Sequence, residues 1–432
     1  MTFTFVDLFA GIGGFHNALA EVGGECSFAS EIDPQASAVY RLNWGMKPAG
    51  DIIPLTEGTV RVPKHDVLAA GFPCQPFSKS GFQRGMAETR GTLFWNICRV
   101  LEERRPHLVV LENVRNLAGP RHRDTWNTIV RSLRDLGYWV PSAPTVLSPH
   151  WLPPSLGGTP QVRERVFITA VHVGHDALHD LPTDPLIPKG PVPGWDPMDW
   201  DLEYDLPLDP DDEIADLSRY QLSPEEEMWI DVWDDFLDSI DAPRLPGFPI
   251  WADAFVEEPE IPEGTPRWKS DFLKKNAAFY SAHKSSIDAW LARHGGLQAL
   301  PPSRRKLEWQ AQDTPRSLRN CILHLRPSGI RAKKPTYVPA LVAITQTSII
   351  GQRGRRLTPR EAARLQGLPE HFDFGTQPDS ATYRQMGNSV ARGAVLWALS
   401  ETTRQMRDYL PERLRDLGAD HCVPIQDQPA AA

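Results

Sequence analysis

Val67-Leu68-Ala69-Ala70-Gly71-Phe72-Pro73-Cys74-Gln75-Pro76-Phe77-Ser78 joins a short unbroken apolar run to a loop in which one cysteine stands between two prolines. A run of this length ended by turn residues reads as a buried parallel strand. Side chains just past the C-terminal end of such a strand line the ligand crevice of an open α/β sheet, and Cys74 falls there. Pro73 and Pro76 fix their own φ and bias the residue before each away from helix, so the thiol sits on a stiffened loop. A lone intracellular cysteine is more often buried and inert. Its place at a strand end points instead to a nucleophile.

Upstream, Thr4-Phe5-Val6-Asp7-Leu8-Phe9 reads as a first strand, Ala10-Gly11-Ile12-Gly13-Gly14 as a glycine turn, and Phe15, Ala18, Leu19 and Val22 as one face of a helix. Strand, glycine turn and helix together let backbone N–H groups approach a ligand. The dinucleotide pattern G-x-G-x-x-G, begun at Gly11, fails at its third glycine, where His16 stands. A second strand, Ser27 to Ser30, ends at Glu31-Ile32-Asp33, and a carboxylate at that tip can accept both hydroxyls of a ribose. Gly50-Asp51-Ile52 follows as a short polar-apolar turn.

Downstream, Leu93 to Glu103 has helical periodicity, and His107 to Leu111 is another core strand, followed at once by Glu112-Asn113-Val114. Phe9, Glu31, Cys74 and Glu112 are thereby expected on one edge of one sheet. Gln161-Val162-Arg163-Glu164-Arg165 sets two arginines at i and i+2 on one strand face, where paired guanidiniums can clamp a phosphate or a carbonyl.

Read together, Asp-Leu-Phe-x-Gly-x-Gly-Gly, the Pro-Cys-Gln loop, Glu-Asn-Val, Gln-x-Arg-x-Arg, the Arg355 to Gly367 block and Gly387-Asn388-Ser389-Val390 resemble the signatures of the cytosine-C5 DNA methyltransferases, in order, from Phe5 to Val390. The resemblance implies an α/β chain with a Rossmann-like methyltransferase domain around a mostly parallel sheet, plus a smaller target-recognition domain. Residues 1–174 and 378–420 would form the catalytic domain, 175–377 the recognition domain and hinge, and 421–432 a frayed tail. It implies S-adenosylmethionine as cofactor, held by Phe9, Gly11, Gly13, Gly14, Glu31, Ile32, Asp51, Ile52, Asn388 and Ser389. It also implies catalysis by Cys74, with Gln75, Glu112, Asn113, Arg163 and Arg165 around the target base. The base must leave the stack to be reached. Ser78, Lys333 and Lys334 are the expected DNA contacts.

Composition fits that reading. The 432 residues are ample for two domains. Five scattered cysteines without C-x-x-C spacing speak against a disulfide framework and a zinc site, so no metal is expected. No run of apolar residues suggests a membrane span or a signal peptide, so a cytoplasmic monomer is expected. The net charge of −9 alone argues against a nucleic-acid binder, yet His175 to Gly264 holds 26 acidic and 3 basic residues and Arg304 to Arg364 holds 14 basic and 3 acidic. The basic part is expected to face double-stranded DNA and the acidic part to lie behind it, with its tryptophans as core anchors. A cognate restriction nuclease or defence-system proteins would act on the same DNA. Two alternatives remain on sequence grounds: a tRNA cytosine-C5 methyltransferase, against which the long recognition segment speaks, and a catalytically silent DNA-binding relative, against which intact Cys74, Glu112 and Arg165 speak.

Overall fold

A computed structural model describes residues 2–73, 92–206, 208–341 and 347–418. Cys74, Gln75 and Ser78 lie outside these described residues. Two compact units are formed, one from Met1–Pro207, Pro339–Ile344 and Pro359–Ala432, the other from Leu208–Val338 and Thr345–Thr358. The sequence division put the borders at 175 and 377, but residues 175–207 and 359–377 pack with the first unit. Trp195 and Trp200 show why: both indole N–H groups donate to the His150 carbonyl, which ties the start of the acidic stretch to this unit.

The first unit carries strands β1 (Phe3–Leu8), β2 (Gly24–Ser30), β3 (Val67–Gly71), β4 (Leu108–Val114), β5 (Tyr138–Trp139), β6 (Thr145–Leu147), β7 (Gln161–Val162) and β8 (Arg165–His172). Its sheet runs β2-β1-β3-β4-β8-β5, with β6 also on β8. The pairs β2/β1, β1/β3 and β3/β4 are parallel and those made by β8 antiparallel, giving an α/β fold with a mostly parallel centre. Helices cover both faces, as continuous apolar strands demand. Helices α1 (Gly14–Glu21), α2 (Pro34–Trp44), α3 (Ile53–Thr56), α4 (Leu93–Arg104), α5 (Arg123–Asp135), α6 (His175–Leu178) and α7 (Leu202–Asp205) precede the second unit. On one face Ile97 and Leu101 of α4 and Ile129 and Leu133 of α5 meet Val6, Leu68 and Val109. On the other, Phe15 and Leu19 of α1 meet Phe5, Val67 and Val110. Because β1 lies between β2 and β3, the order of strand addition reverses there, and the crevice opens at the C-terminal ends of these parallel strands.

The second unit holds α8 (Pro224–Ser239), β9 (Ile250–Trp251), α9 (Arg267–Ala282), α10 (Lys284–Arg293), β10 (Lys306–Gln310), β11 (Ile322–Arg326) and β12 (Gly329–Lys333). After β13 (Val338–Pro339) come β14 (Ile349–Ile350) and β15 (Arg355–Arg356), and the six-stranded sheet runs β15-β14-β11-β12-β10-β9. The start of α8 has a full set of signals: Ser223 and Glu226 form a reciprocal capping box, Pro224 opens the helix, and Glu225 to Glu227 complement its dipole. Its apolar stripe, Trp229, Val232, Trp233, Phe236 and Leu237, packs with Trp290 on Leu307, Trp309, Leu323 and Ile330. Two of the tryptophans expected as core anchors behave so here: Trp229 is buried, and Trp233 is fully buried and donates to the Arg304 carbonyl.

The acidic stretch is not a free solvated face. Arg355, fully buried, donates through Nε to Asp211 at 2.8 Å and through Nη2 to the Asp209 carbonyl, while Arg356 pairs with Glu226. Asp211→Ala leaves a buried guanidinium short of an acceptor and is expected to lower stability by about 1–3 kcal/mol. Urea unfolding checks this, and a change within about 0.5 kcal/mol, the range of an ordinary surface substitution, would remove Asp211 from the fold's supports.

The chain then returns to the first unit as α11 (Pro359–Leu365), α12 (Asp379–Asn388) and α13 (Arg392–Gln405). Gly387 and Asn388 of the last signature end α12. Pro378 precedes a helix that begins at Asp379 and runs through Asn388, and the chain then extends through Ser389 to Ala391 before α13. Helix α13 packs on α1 and β8, with the Thr402 hydroxyl donating to that of Thr169 at 2.8 Å.

Candidate active site

The crevice is a cleft of about 1040 Å³ within the first unit. Its floor starts at the end of β1. Phe9 and Gly11 both take left-handed φ of 56°, which folds the chain back over the strand end. The three glycines of the turn divide their work. A Cβ on Gly11 would meet nothing within 4 Å, so that position is open to the cleft, whereas Gly13 would strike the Trp44 indole and Gly14 the Ser389 hydroxyl. Gly11 lines the site; Gly13 and Gly14 do not, and they allow α2 and the returning Ser389-Val390 segment to approach. His16, which breaks the dinucleotide pattern, stacks on Trp44 at 4.2 Å and hydrogen-bonds the Tyr40 hydroxyl through Nδ1 at 2.7 Å. Burial lowers its pKa to about 4, so the ring is neutral.

Glu31, at the tip of β2, braces the turn. One carboxylate oxygen accepts from the Gly11 N–H and the other from the Asp33 N–H, both at 2.7 Å. Asp33 in turn caps α2 by accepting from Gln35 and Ala36. Ile32 beside them is 72 % exposed, a large apolar side chain left on the cleft wall. Asp51 and Ile52 continue that wall, with Asp51 accepting from the Ile53 N–H, and Asn388 closes it from the end of α12. Ser389 is buried behind the wall.

At the other end of the cleft, β3 and β4 run side by side, with Gly71 opposite Glu112. The Asn113 side chain donates to the Phe72 carbonyl at 2.9 Å and so pins the stem of the loop that carries Cys74. Glu112 Oε1 stands 2.9 Å from Arg165 Nε. Burial pushes the Glu112 carboxyl above its ordinary range, against the pull of Arg163 and Arg165.

The two arginines do not share a strand face as the spacing suggested. The strand breaks at Arg163-Glu164, between β7 and β8, and both side chains line the cleft with different partners. Arg165 meets Glu112, while Arg163 is buried and donates through Nη2 to the Gly387 and Ser389 carbonyls. Arg163 Nε and Nη1 have no hydrogen-bond partner among the described residues. Burial and the neighbouring Arg165 lower its pKa to about 9.

Sequence reasoning missed three features of this site. Asp7 is fully buried, and burial raises its carboxyl far above the usual range against the pull of the His16 backbone N–H. Asn96, a lone amide on the apolar face of α4, donates to the Thr56 hydroxyl at 2.7 Å and lines the cleft. Arg384 reaches the same wall and hydrogen-bonds Gln35. A polar residue at a core-periodic position was the available signal for the first two. Of the expected DNA contacts in the second unit, Lys333 is half-buried on β12 and Lys334 Nζ stands 3.6 Å from Asp313. Among the described residues there is no cluster of metal-ligating side chains and no helix long and apolar enough to cross a membrane.

The chain is similar to known methyltransferases over nearly its whole length. The chain is 45% identical over 94% of its length, and 93% of the relative's, to the Type II methyltransferase M.AluI of Cellulosimicrobium cellulans. It is 30% identical over 90% of its length, and 93% of the relative's, to M.BanI of Aneurinibacillus aneurinilyticus. The solved structure of the S. pombe Dnmt2 methyltransferase covers 92% of this chain and 97% of its own at 16% identity and a TM-score of 0.44. Residues 3–241 and 255–396 match the C-5 cytosine-specific DNA methylase family. With that match spanning both units, the chain belongs to the C-5 cytosine-specific DNA methylases, enzymes that methylate DNA with S-adenosylmethionine.

Proposed function

We propose that this enzyme methylates C5 of a flipped-out cytosine within a specific duplex sequence through a covalent bond from Cys74 to C6. The observation that carries the proposal is the Glu112–Arg165 pair, 2.9 Å apart and beside the pinned stem of the Cys74 loop. Cytosine C5 is a weak nucleophile. Addition of the Cys74 thiolate at C6 makes the ring an enamine, with Glu112 protonating or hydrogen-bonding N3 so that charge does not build up there. Arg165 orients Glu112 and meets the O2 side of the ring or the adjoining phosphate. Arg163 also lines the cleft and, through its bonds to the Gly387 and Ser389 carbonyls, positions that segment. Loss of the C5 proton and expulsion of the thiolate restore the aromatic ring.

The cleft residues fit S-adenosylmethionine. Glu31 spends one lone pair of each oxygen on the backbone and keeps others for ribose hydroxyls, Ile32 and Ile52 offer apolar faces to a purine, and Gly11 leaves the turn open. When bound, the cofactor supplies an electrophilic methyl group. Glu31→Ala is expected to weaken its binding by about 1.5–3 kcal/mol, the scale of a hydrogen bond to a charged group, with a further loss from the unbraced Gly11 turn. Titration calorimetry that finds the affinity unchanged would take Glu31 out of the cofactor site.

The relatives are named Type II methyltransferases, so a cytoplasmic role beside a restriction nuclease or in phage defence is the biological setting we favour. Bisulfite sequencing of DNA from a methylation-free host expressing the protein tests the whole reading. One fully converted-resistant sequence motif is expected. Absence of protected cytosines in DNA, with methylation found in tRNA, would replace the substrate.

A further inference from the structure

The sheet of the second unit separates two surfaces of opposite charge. One face is apolar: Leu307, Trp309, Leu323, Leu325, Ile330 and Ala332 pack under the helices. On that helical side the cations already have acids, Arg319 with Glu227 and Asp231, and Arg293 and His294 with Asp235. Alternation then puts Glu308, His324, Arg326, Arg331 and Lys333 on the opposite face. Register brings them together, because Glu308 and His324 both stand opposite Arg331, and Gln310 stands opposite Lys333.

This face carries four cations to one carboxylate, since Lys306 lies with Glu308 by the same alternation. Glu308 Oε2 takes Arg331 Nε at 3.0 Å and also Arg326 Nη2, while its other oxygen accepts from Gln310. Two guanidiniums share one anion, and most of their donors stay unspent. Arg326 Nε is buried with no hydrogen-bond partner among the described residues. Lys333 is half-buried and has no ion pair among them, and burial together with Arg331 lowers its pKa. His324 hydrogen-bonds the Ser348 hydroxyl at 2.8 Å, and burial together with the surrounding cations holds it neutral. Such a face lacks an anion and is stiff. A carboxylate that fixes an arginine's rotamer prepares the free side of the guanidinium fork for a planar acceptor pair, as a guanine edge presents.

We infer that the polar face of this sheet reads duplex DNA, with Arg331 and Arg326 aimed by Glu308 at base edges and Lys333 set against a phosphate. The inference rests on the DNA-methyltransferase reading above and names the residues that give it sequence preference.

The test uses the full chain with Lys333→Ala, Arg331→Ala, Arg331→Lys, Glu308→Gln and, on the helical side, Arg293→Ala. Binding to the duplex identified by bisulfite sequencing and to a scrambled duplex is followed by fluorescence anisotropy across a salt series, with cofactor binding as the check on folding. Lys333→Ala should weaken both duplexes alike and flatten the salt slope by about 1. Arg331→Ala should cost roughly 10- to 100-fold on the target duplex and under about threefold on the scrambled one, the signature of a lost base contact. Arg331→Lys keeps the charge and should lose discrimination alone, as should Glu308→Gln. Arg293→Ala should change nothing. The inference is overturned if the Arg331 and Glu308 variants discriminate like the wild type, or if Arg293→Ala weakens binding as much as Lys333→Ala. If the wild type itself binds and methylates no duplex, the underlying reading falls first and takes this inference with it.

Discussion

Cys74→Ala is expected to abolish methyl transfer, by roughly 10⁴-fold or more, the scale on which removal of a covalent nucleophile is felt. Binding of target DNA and of S-adenosylmethionine should survive. The reason lies in how the loop is anchored: Asn113 holds the Phe72 carbonyl two residues before Cys74, so the stem keeps its place without the thiol. Without C6 addition, C5 has no enamine electron pair to give to a methyl group, and no other described nucleophile replaces it. Cys26, Cys98 and Cys321 are buried or partly buried, and burial pushes the Cys26 thiol up to about 11 and that of Cys321 up to about 12. Transfer of labelled methyl groups measures the loss. A residual rate within about 100-fold of wild type would be too large for a covalent mechanism.

Glu112→Gln is expected to cost about 10²- to 10⁴-fold in kcat, the range for loss of a positioned general acid, with a smaller change in DNA affinity. Glutamine preserves the size and the hydrogen-bonding edge but cannot hand a proton to N3. The pH profile separates this role from a structural one. Burial holds the Glu112 carboxyl above its ordinary value, so its proton persists to higher pH than on an exposed glutamate. Wild-type kcat should therefore rise with ionisation of Cys74 and fall as Glu112 deprotonates, and the glutamine variant should lack the falling limb. The same shift has a stability sign. The folded state favours the protonated acid, so this group's contribution is fully present below the ordinary glutamate value and is lost as pH rises through the raised one. An unchanged pH profile in the variant would assign the falling limb to another group.

The strands that carry the site were legible because each is a short run with a turn or polar signal at its end: the glycine turn after Phe9, Glu31 after Ser30, the cysteine loop after Gly71, Glu112 after Leu111. Those signals depend on local sequence alone. The fate of Arg163 was not local. Its acceptors, the carbonyls of Gly387 and Ser389, lie more than two hundred residues downstream, and no i, i+2 rule registers a strand that breaks between two arginines. The division of the glycines was hidden for the same reason, since Gly13 and Gly14 answer to Trp44 and Ser389. In the second unit, β9, β14 and β15 are two residues each, too short for alternation to show. The charge split was visible in sequence. What it could not show is which of the acids are taken up by arginines of the same unit, Asp211 by Arg355 and Glu226 by Arg356 among them.

The central claim is a covalent bond between Cys74 and C6 of the target base. Incubation with S-adenosylmethionine and a duplex carrying 5-fluorocytosine at the target position tests it directly, because after methyl transfer fluorine cannot leave C5 as a proton does and the thiolate cannot be expelled. Peptide mass spectrometry should find the modified nucleotide on Cys74, and none in the Cys74→Ala protein. A wild-type enzyme that methylates ordinary DNA and forms no such adduct would contradict the mechanism.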